Sequence, residues 1–321
     1  MKTRTTLARF VVPAVVATVL VTTEGPAFAD PPAPAAPSPA APAKPNLPQG
    51  APYTHGVYVA MGDSRAAGGS ATLTSDYQLN PCRRSGDNYP SMVRDRIKPR
   101  TYLDISCIGA KSANLRHHPQ VMGLRKTNDP LGSASGSMTG SLAFPIPAQL
   151  PQVPRNAQVI TVSTGGNDLD WAEILKKCNI RSRANCSKNP RIKARARRGL
   201  HRLTVQSTTS LRAIRGRAPR AQIFTVGLGG FIGKRGCRQV QLSRADAVWF
   251  NNLFAEANKR LRAATEGVGG KLIDVTDRGH DACSGRPWFY GRTAPAGNMA
   301  FHLNTVGRAV VADRIARSVR R

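Results

Sequence analysis

Four short segments of the 321-residue chain hold residue types that could move an acyl group. Val57-Tyr58-Val59-Ala60-Met61 runs into Gly62-Asp63-Ser64. Asp104-Ile105-Ser106-Cys107-Ile108 runs into Gly109-Ala110. The others are Gly165-Gly166-Asn167-Asp168 and Ala300-Phe301-His302-Leu303-Asn304. A serine hydroxyl is a nucleophile, and a histidine can take its proton and pass it to a leaving alcohol. Glycine N–H groups and an asparagine amide can donate to the negative charge that develops on a carbonyl oxygen. Together they supply what acyl transfer from an ester needs. Singly, each has an ordinary reading: Gly-Asp-Ser is also turn chemistry, the glycines fit plain turns, Asn167 fits a helix cap and His302 a surface histidine.

The segments gain meaning from the elements that must hold them. Val57–Met61 is a short apolar, β-branched run that reads as a buried strand. A strand that ends in Gly-Asp-Ser and turns into a helix shows its serine at the carboxyl edge of the sheet, where open α/β sheets bind ligands. The helix start there offers unpaired N–H groups. Further strands are expected at 102–106, 157–163, 221–226 and 271–275. Helices are expected at 191–215, 243–264 and from Asn304 onward, with apolar residues at three- and four-residue spacing. Strands alternating with helices imply a parallel sheet covered on both faces. There is no internal repeat.

Residues 1–29 read as a secretory leader: Lys2, Arg4 and Arg9, an apolar stretch broken by Pro13, then Ala27-Phe28-Ala29. An uncleaved anchor is the alternative. Residues 30–54 are almost all Pro and Ala and read as an extended spacer, which leaves 55–321 as one domain. The six cysteines, Cys82, Cys107, Cys178, Cys186, Cys237 and Cys283, all follow the leader. Of fifteen pairings, the spacing favours neighbours: Cys82–Cys107, Cys178–Cys186 and Cys237–Cys283. Zinc is disfavoured, because no Cys-x-x-Cys pair exists and no histidines cluster near the cysteines. Forty-seven Lys and Arg stand against eighteen Asp and Glu, a formal net charge of +29. Nucleic acid is disfavoured as the partner, since the chain is expected to be exported and has no aromatic-rich basic platform. A basic face attracted to anionic cell-wall polymer or membrane is the better reading.

In order and spacing the four blocks resemble those of the SGNH (GDSL-type) hydrolases, whose name lists Ser, Gly, Asn and His. The likeness covers 55–321 and is nearest to secreted actinobacterial esterases and lipases. It implies a flavodoxin-like α/β fold, a three-layer α/β/α sandwich with a central parallel sheet of about five strands. It also implies a secreted, monomeric, cofactor- and metal-free esterase or lipase acting on ester or lipid substrates. In that family pattern Ser64 is the nucleophile and His302 the base. The Ser64 and Gly109 N–H groups and the Asn167 amide form the oxyanion hole, and Asp63 holds the turn.

Two positions depart from the pattern. Arg65 follows the nucleophile where an apolar or aromatic residue is usual; it either favours anionic substrates or points into solvent. Met299 stands where an aspartate often precedes the histidine. The expectation is therefore a Ser64–His302 dyad completed by a main-chain carbonyl, from Met299 or a nearby loop residue such as one around Trp288, with the base titrating near 6.5. His280, three residues after Asp277, competes as base but is assigned a structural or cleft role. Polysaccharide deacetylation, acyl transfer to another alcohol, and a decayed wall-binding protein remain the alternatives.

Overall fold

Residues 56–69, 80–123, 143–178 and 185–319 of the computed structural model are described here. The expected leader and the Pro/Ala spacer lie outside them. In chain order the elements are β1 (Val57–Gly62), α1 (Ser64–Ala67), α2 (Tyr89–Ile97), β2 (Thr101–Asp104), α3 (Ser112–Arg116), β3 (Gln120–Gly123) and β4 (Ala143–Ile146). They continue with β5 (Val159–Ser163), α4 (Gly166–Leu169), α5 (Trp171–Cys178), α6 (Pro190–Arg217), β6 (Gln222–Val226), α7 (Arg244–Glu266), β7 (Lys271–Ile273) and α8 (Thr305–Ser318).

β1 and β5 are apolar and buried because both of their faces are covered. Alternate residues of β1 serve opposite layers. Tyr58 and Ala60 join a cluster with Tyr89 and Val93 of α2 and Val311, Ala312 and Ile315 of α8. Val59 and Met61 join Leu115 of α3 and Leu211 and Ile214 of α6. The sheet runs β2-β1-β5-β6-β7 with every pairing parallel, so the fold is the expected α/β/α sandwich. From β1 the chain goes outward to β2, then returns to the other side of β1 as β5. That reversal opens a crevice at the carboxyl ends of β1 and β5, the ends from which Ser64 and Asn167 follow.

The long helices start where side chains cap them. The Asn189 carboxamide oxygen accepts from the N–H groups of Arg191 and Ile192, with Pro190 in the first turn. The Ser243 hydroxyl accepts from Asp246 N–H, and the Asn304 side chain from Gly307 N–H. Two expected strands stop early for a shared reason: an aspartate side chain turns the backbone. Asp104 accepts from Ser106 N–H and Oγ at the end of β2, and Asp274 accepts from Thr276 N–H and Oγ1 just beyond β7. The antiparallel β3–β4 pair and helix α2 were not expected. Disulfides join Cys82 to Cys107, Cys178 to Cys186 and Cys237 to Cys283.

Candidate active site

The turn that presents Ser64 is built from three neighbours. Gly62 has φ +125°, and a Cβ there would lie 2.1 Å from the Ser163 carbonyl oxygen of β5, so only glycine fits. Asp63 caps α1, its Oδ1 accepting from Arg65 N–H at 3.0 Å and from Ser163 Oγ at 2.7 Å. Burial pushes the Asp63 carboxyl up, and those two bonds oppose the shift. Gln149 clamps the last residue of the strand from both sides: Gly62 N–H donates to its Oε1 at 2.7 Å, and its Nε2 donates to Gly62 O at 2.9 Å. No local sequence signal marks Gln149, which acts across 87 residues.

His302 reaches the serine from the loop before α8. Its Nε2 lies 2.8 Å from Ser64 Oγ, and its Nδ1 lies 2.8 Å from the Ala300 carbonyl oxygen. A carbonyl can only accept, so Nδ1 carries the proton and Nε2 is left to take the serine's. The orienting oxygen is thus on the main chain of a loop residue beside Met299, namely Ala300. Phe301, between them, adopts φ +60°, which closes the loop tightly enough for Nδ1 to reach back two residues. Met299 packs against Gly69, where an added Cβ would meet its sulfur at 2.0 Å.

The expected titration near 6.5 is overturned. Burial lowers the His302 pKa to about 4, the Arg65 and Arg308 guanidinium groups push the same way, and the Ala300 carbonyl opposes them. The base must be neutral to act, so activity is gained as pH rises through the folded-state value. The acid limb of kcat/KM on a neutral ester should have its midpoint near pH 4, with full activity well below pH 6.5. A pH–rate profile from about 3.5 to about 9 checks this, and a midpoint at about 6.5 would contradict the burial argument.

Asn167 sits at the start of α4, behind the αL residue Gly165. Its Nδ2 donates to Ala110 O at 2.9 Å, which uses one of two amide protons. The next residue, Asp168, accepts from Ser112 N–H at 3.0 Å and from Ser112 Oγ at 2.7 Å. These bonds fasten the loop after β5 to the loop that holds Gly109. Gly109, at φ +71°, does not itself line the cleft; its loop adjoins the nucleophile turn through Cys107 N–H to Gly62 O at 2.9 Å and the Cys82–Cys107 bridge. Ser64, Asn167 and His302 line one open cleft, walled by Trp171, Leu228, Phe231, Phe254 and Phe301. The aromatic wall was not anticipated, because its members come from four separate stretches of chain.

Other candidates fall elsewhere. Arg65 does not point into solvent: its Nη1 donates to Gly227 O at 2.7 Å, and it lines the cleft. His280 is stacked on Trp288 at 4.0 Å, its Nδ1 2.8 Å from Arg286 O. Asp277 pairs with Arg314 and not with His280, while Asp281 accepts from Cys283 N–H. Neither carboxylate orients His302, whose Nδ1 is held by Ala300 O. Arg308 of α8, only 2% exposed, was missed; it ties Asp87, Gly68 O and Asn298 together behind the dyad.

A nucleophile, a base with a fixed tautomer and an amide donor share this cleft, an arrangement able to transfer acyl groups from esters. The family model described as GDSL-like lipase/acylhydrolase matches residues 60–310. A lipase from Streptomyces rimosus is 26% identical over 255 residues, covering 78% of this chain and 82% of that protein. The crystal structure of the extracellular lipase from Streptomyces rimosus aligns with a TM-score of 0.63 at 25% identity, over 83% of this chain and 100% of that one. Phospholipase A1 from Streptomyces albidoflavus NA297 aligns at 0.62 and 21% identity, over 82% and 98%.

Proposed function

Since the chain belongs to the GDSL-like lipase/acylhydrolase family, and is thereby an ester hydrolase, we propose that it works through an acyl-enzyme on Ser64 with His302 as its base. The observation that carries this reading is the 2.8 Å contact between Ser64 Oγ and His302 Nε2, with Nδ1 held on Ala300 O. As Oγ attacks the ester carbonyl carbon, its proton passes to Nε2. The imidazolium so formed keeps its Nδ1–H bond to the carbonyl. The carbonyl oxygen, now negative, takes the Ser64 N–H group and the free Nδ2 proton of Asn167. Collapse of the tetrahedral intermediate expels the alcohol, which leaves with the proton from Nε2. Water then enters, gives a proton to Nε2 and attacks the acyl-enzyme, and the proton returns to Ser64 as the acid departs.

The apolar wall of the cleft suits an acyl chain, which supports lipid esters as substrates, in line with the lipase to which the chain is similar. Three disulfides among the described residues support an exported enzyme. The excess of basic residues supports electrostatic attraction to anionic wall polymer or membrane. Treatment with a fluorophosphonate followed by peptide mapping should place the adduct on Ser64. An adduct on another residue, or none under conditions where the enzyme turns over, would refute the assignment.

A further inference from the structure

Arg65 is a cation placed in the substrate cleft without an anion. Its backbone N–H is held by Asp63 and its Nη1 by Gly227 O. Among the described residues no carboxylate lies within ion-pair distance of its guanidinium. Asp63 acts on it through space, while its Oδ1 accepts from Arg65 N–H and Ser163 Oγ. Arg308 shows what a paired site looks like here: that guanidinium has the Asp87 carboxylate, Gly68 O and Asn298 Oδ1 around it. Among the described residues the Arg65 guanidinium has one carbonyl, Gly227 O. Its Nε and Nη2, and the second proton of Nη1, remain for a partner, and both Arg65 and Ser64 line the cleft. A guanidinium fork presents parallel donors that match a carboxylate or phosphate.

The unpaired charge also acts on the base. Arg65 helps hold His302 in its neutral form, so it resists the imidazolium that must form during attack. A substrate that brought its own anion to Arg65 would remove that resistance and gain a charge-assisted pair at once. A neutral ester gets neither.

We propose that Arg65 is a specificity-determining residue that takes an anionic oxygen group of the substrate, phosphate or carboxylate, lying a few bonds from the scissile ester. This rests on the acyl-enzyme reading of Ser64 given above. Two matched pairs of soluble esters test it and separate the two sources of charge. Dihexanoyl glycerophosphate is compared with dihexanoylglycerol, both below their aggregation limits. The p-nitrophenyl monoester of glutaric acid is compared with p-nitrophenyl valerate.

For the native enzyme, kcat/KM should favour the anionic member of at least one pair by about tenfold or more, and the favoured pair identifies the group. In Arg65→Gln the ratio of kcat/KM for the anionic ester to that for its neutral partner should fall by about 10–100-fold. The ratio within a pair cancels any general damage. Arg65→Lys, which keeps the charge but loses the fork, should fall between, and it decides the question if the glutamine variant does not fold. No preference in either pair, or a parallel fall of both members in the variants, overturns the proposal. Ser64→Ala runs beside them: if it hydrolyses both members at close to the native rate, the acyl-enzyme reading fails and this one with it. If it is dead while the ratios do not move, only the role of Arg65 is wrong.

Discussion

Replacing His302 with alanine is expected to lower kcat by about 10⁵–10⁶-fold, and adding Ser64→Ala to that variant should cost little more. The reason lies in how the two side chains share one proton. Ser64 Oγ is a weak nucleophile until Nε2, 2.8 Å away, relieves it of its hydrogen. Without the imidazole the serine is an ordinary alcohol, so removing it as well takes away nothing further. A residual rate of about 10³–10⁴ over water should survive in both single variants and in the double variant, from the oxyanion donors and binding. Steady-state kinetics on a chromogenic ester measure all three. A double variant ten or more times slower than either single one would mean that the residues act separately.

Asn167→Ala is expected to lower kcat by about 10²–10³-fold with KM nearly unchanged, because the donor it removes matters only when the carbonyl oxygen becomes negative. The same side chain ties two loops through Ala110 O, so a structural loss has to be told apart from a chemical one. Asn167→Asp does this. It keeps the shape but gives the oxyanion an acceptor where a donor stood, and it should be at least as slow as the alanine variant at alkaline pH. An effect confined to KM in both variants would assign Asn167 to substrate binding.

Most of the sheet was legible in the sequence because its strands are short apolar runs ended by glycine or aspartate. The three long helices were legible because their apolar residues recur at three and four. Ser64, Asn167 and His302 could be read as a set, since each sits at the end of an element whose period is plain. What could not be read acts at a distance. Gln149 looks like any polar residue between Ala148 and Leu150, yet it fixes the strand end before Ser64 through two backbone bonds. The β3–β4 pair contains Pro145, a residue that argues against a strand unless it lies at an edge. The titration of His302 was misjudged for the same reason. Its spacing from Met299 shows that no carboxylate precedes it, but not that burial and the charges of Arg65 and Arg308 surround it.

Ser64 and His302 stand 238 residues apart, and Arg308 reaches Gly68 across 240. A ribosome working at about 5–20 residues per second finishes the serine roughly 12–48 s before it adds the histidine. Through that interval the nascent chain has a hydroxyl but no base, and the helix that braces the loops behind the pair does not yet exist. On the proposed mechanism, hydrolytic power cannot arise before His302 has been made and the loop that carries it has folded.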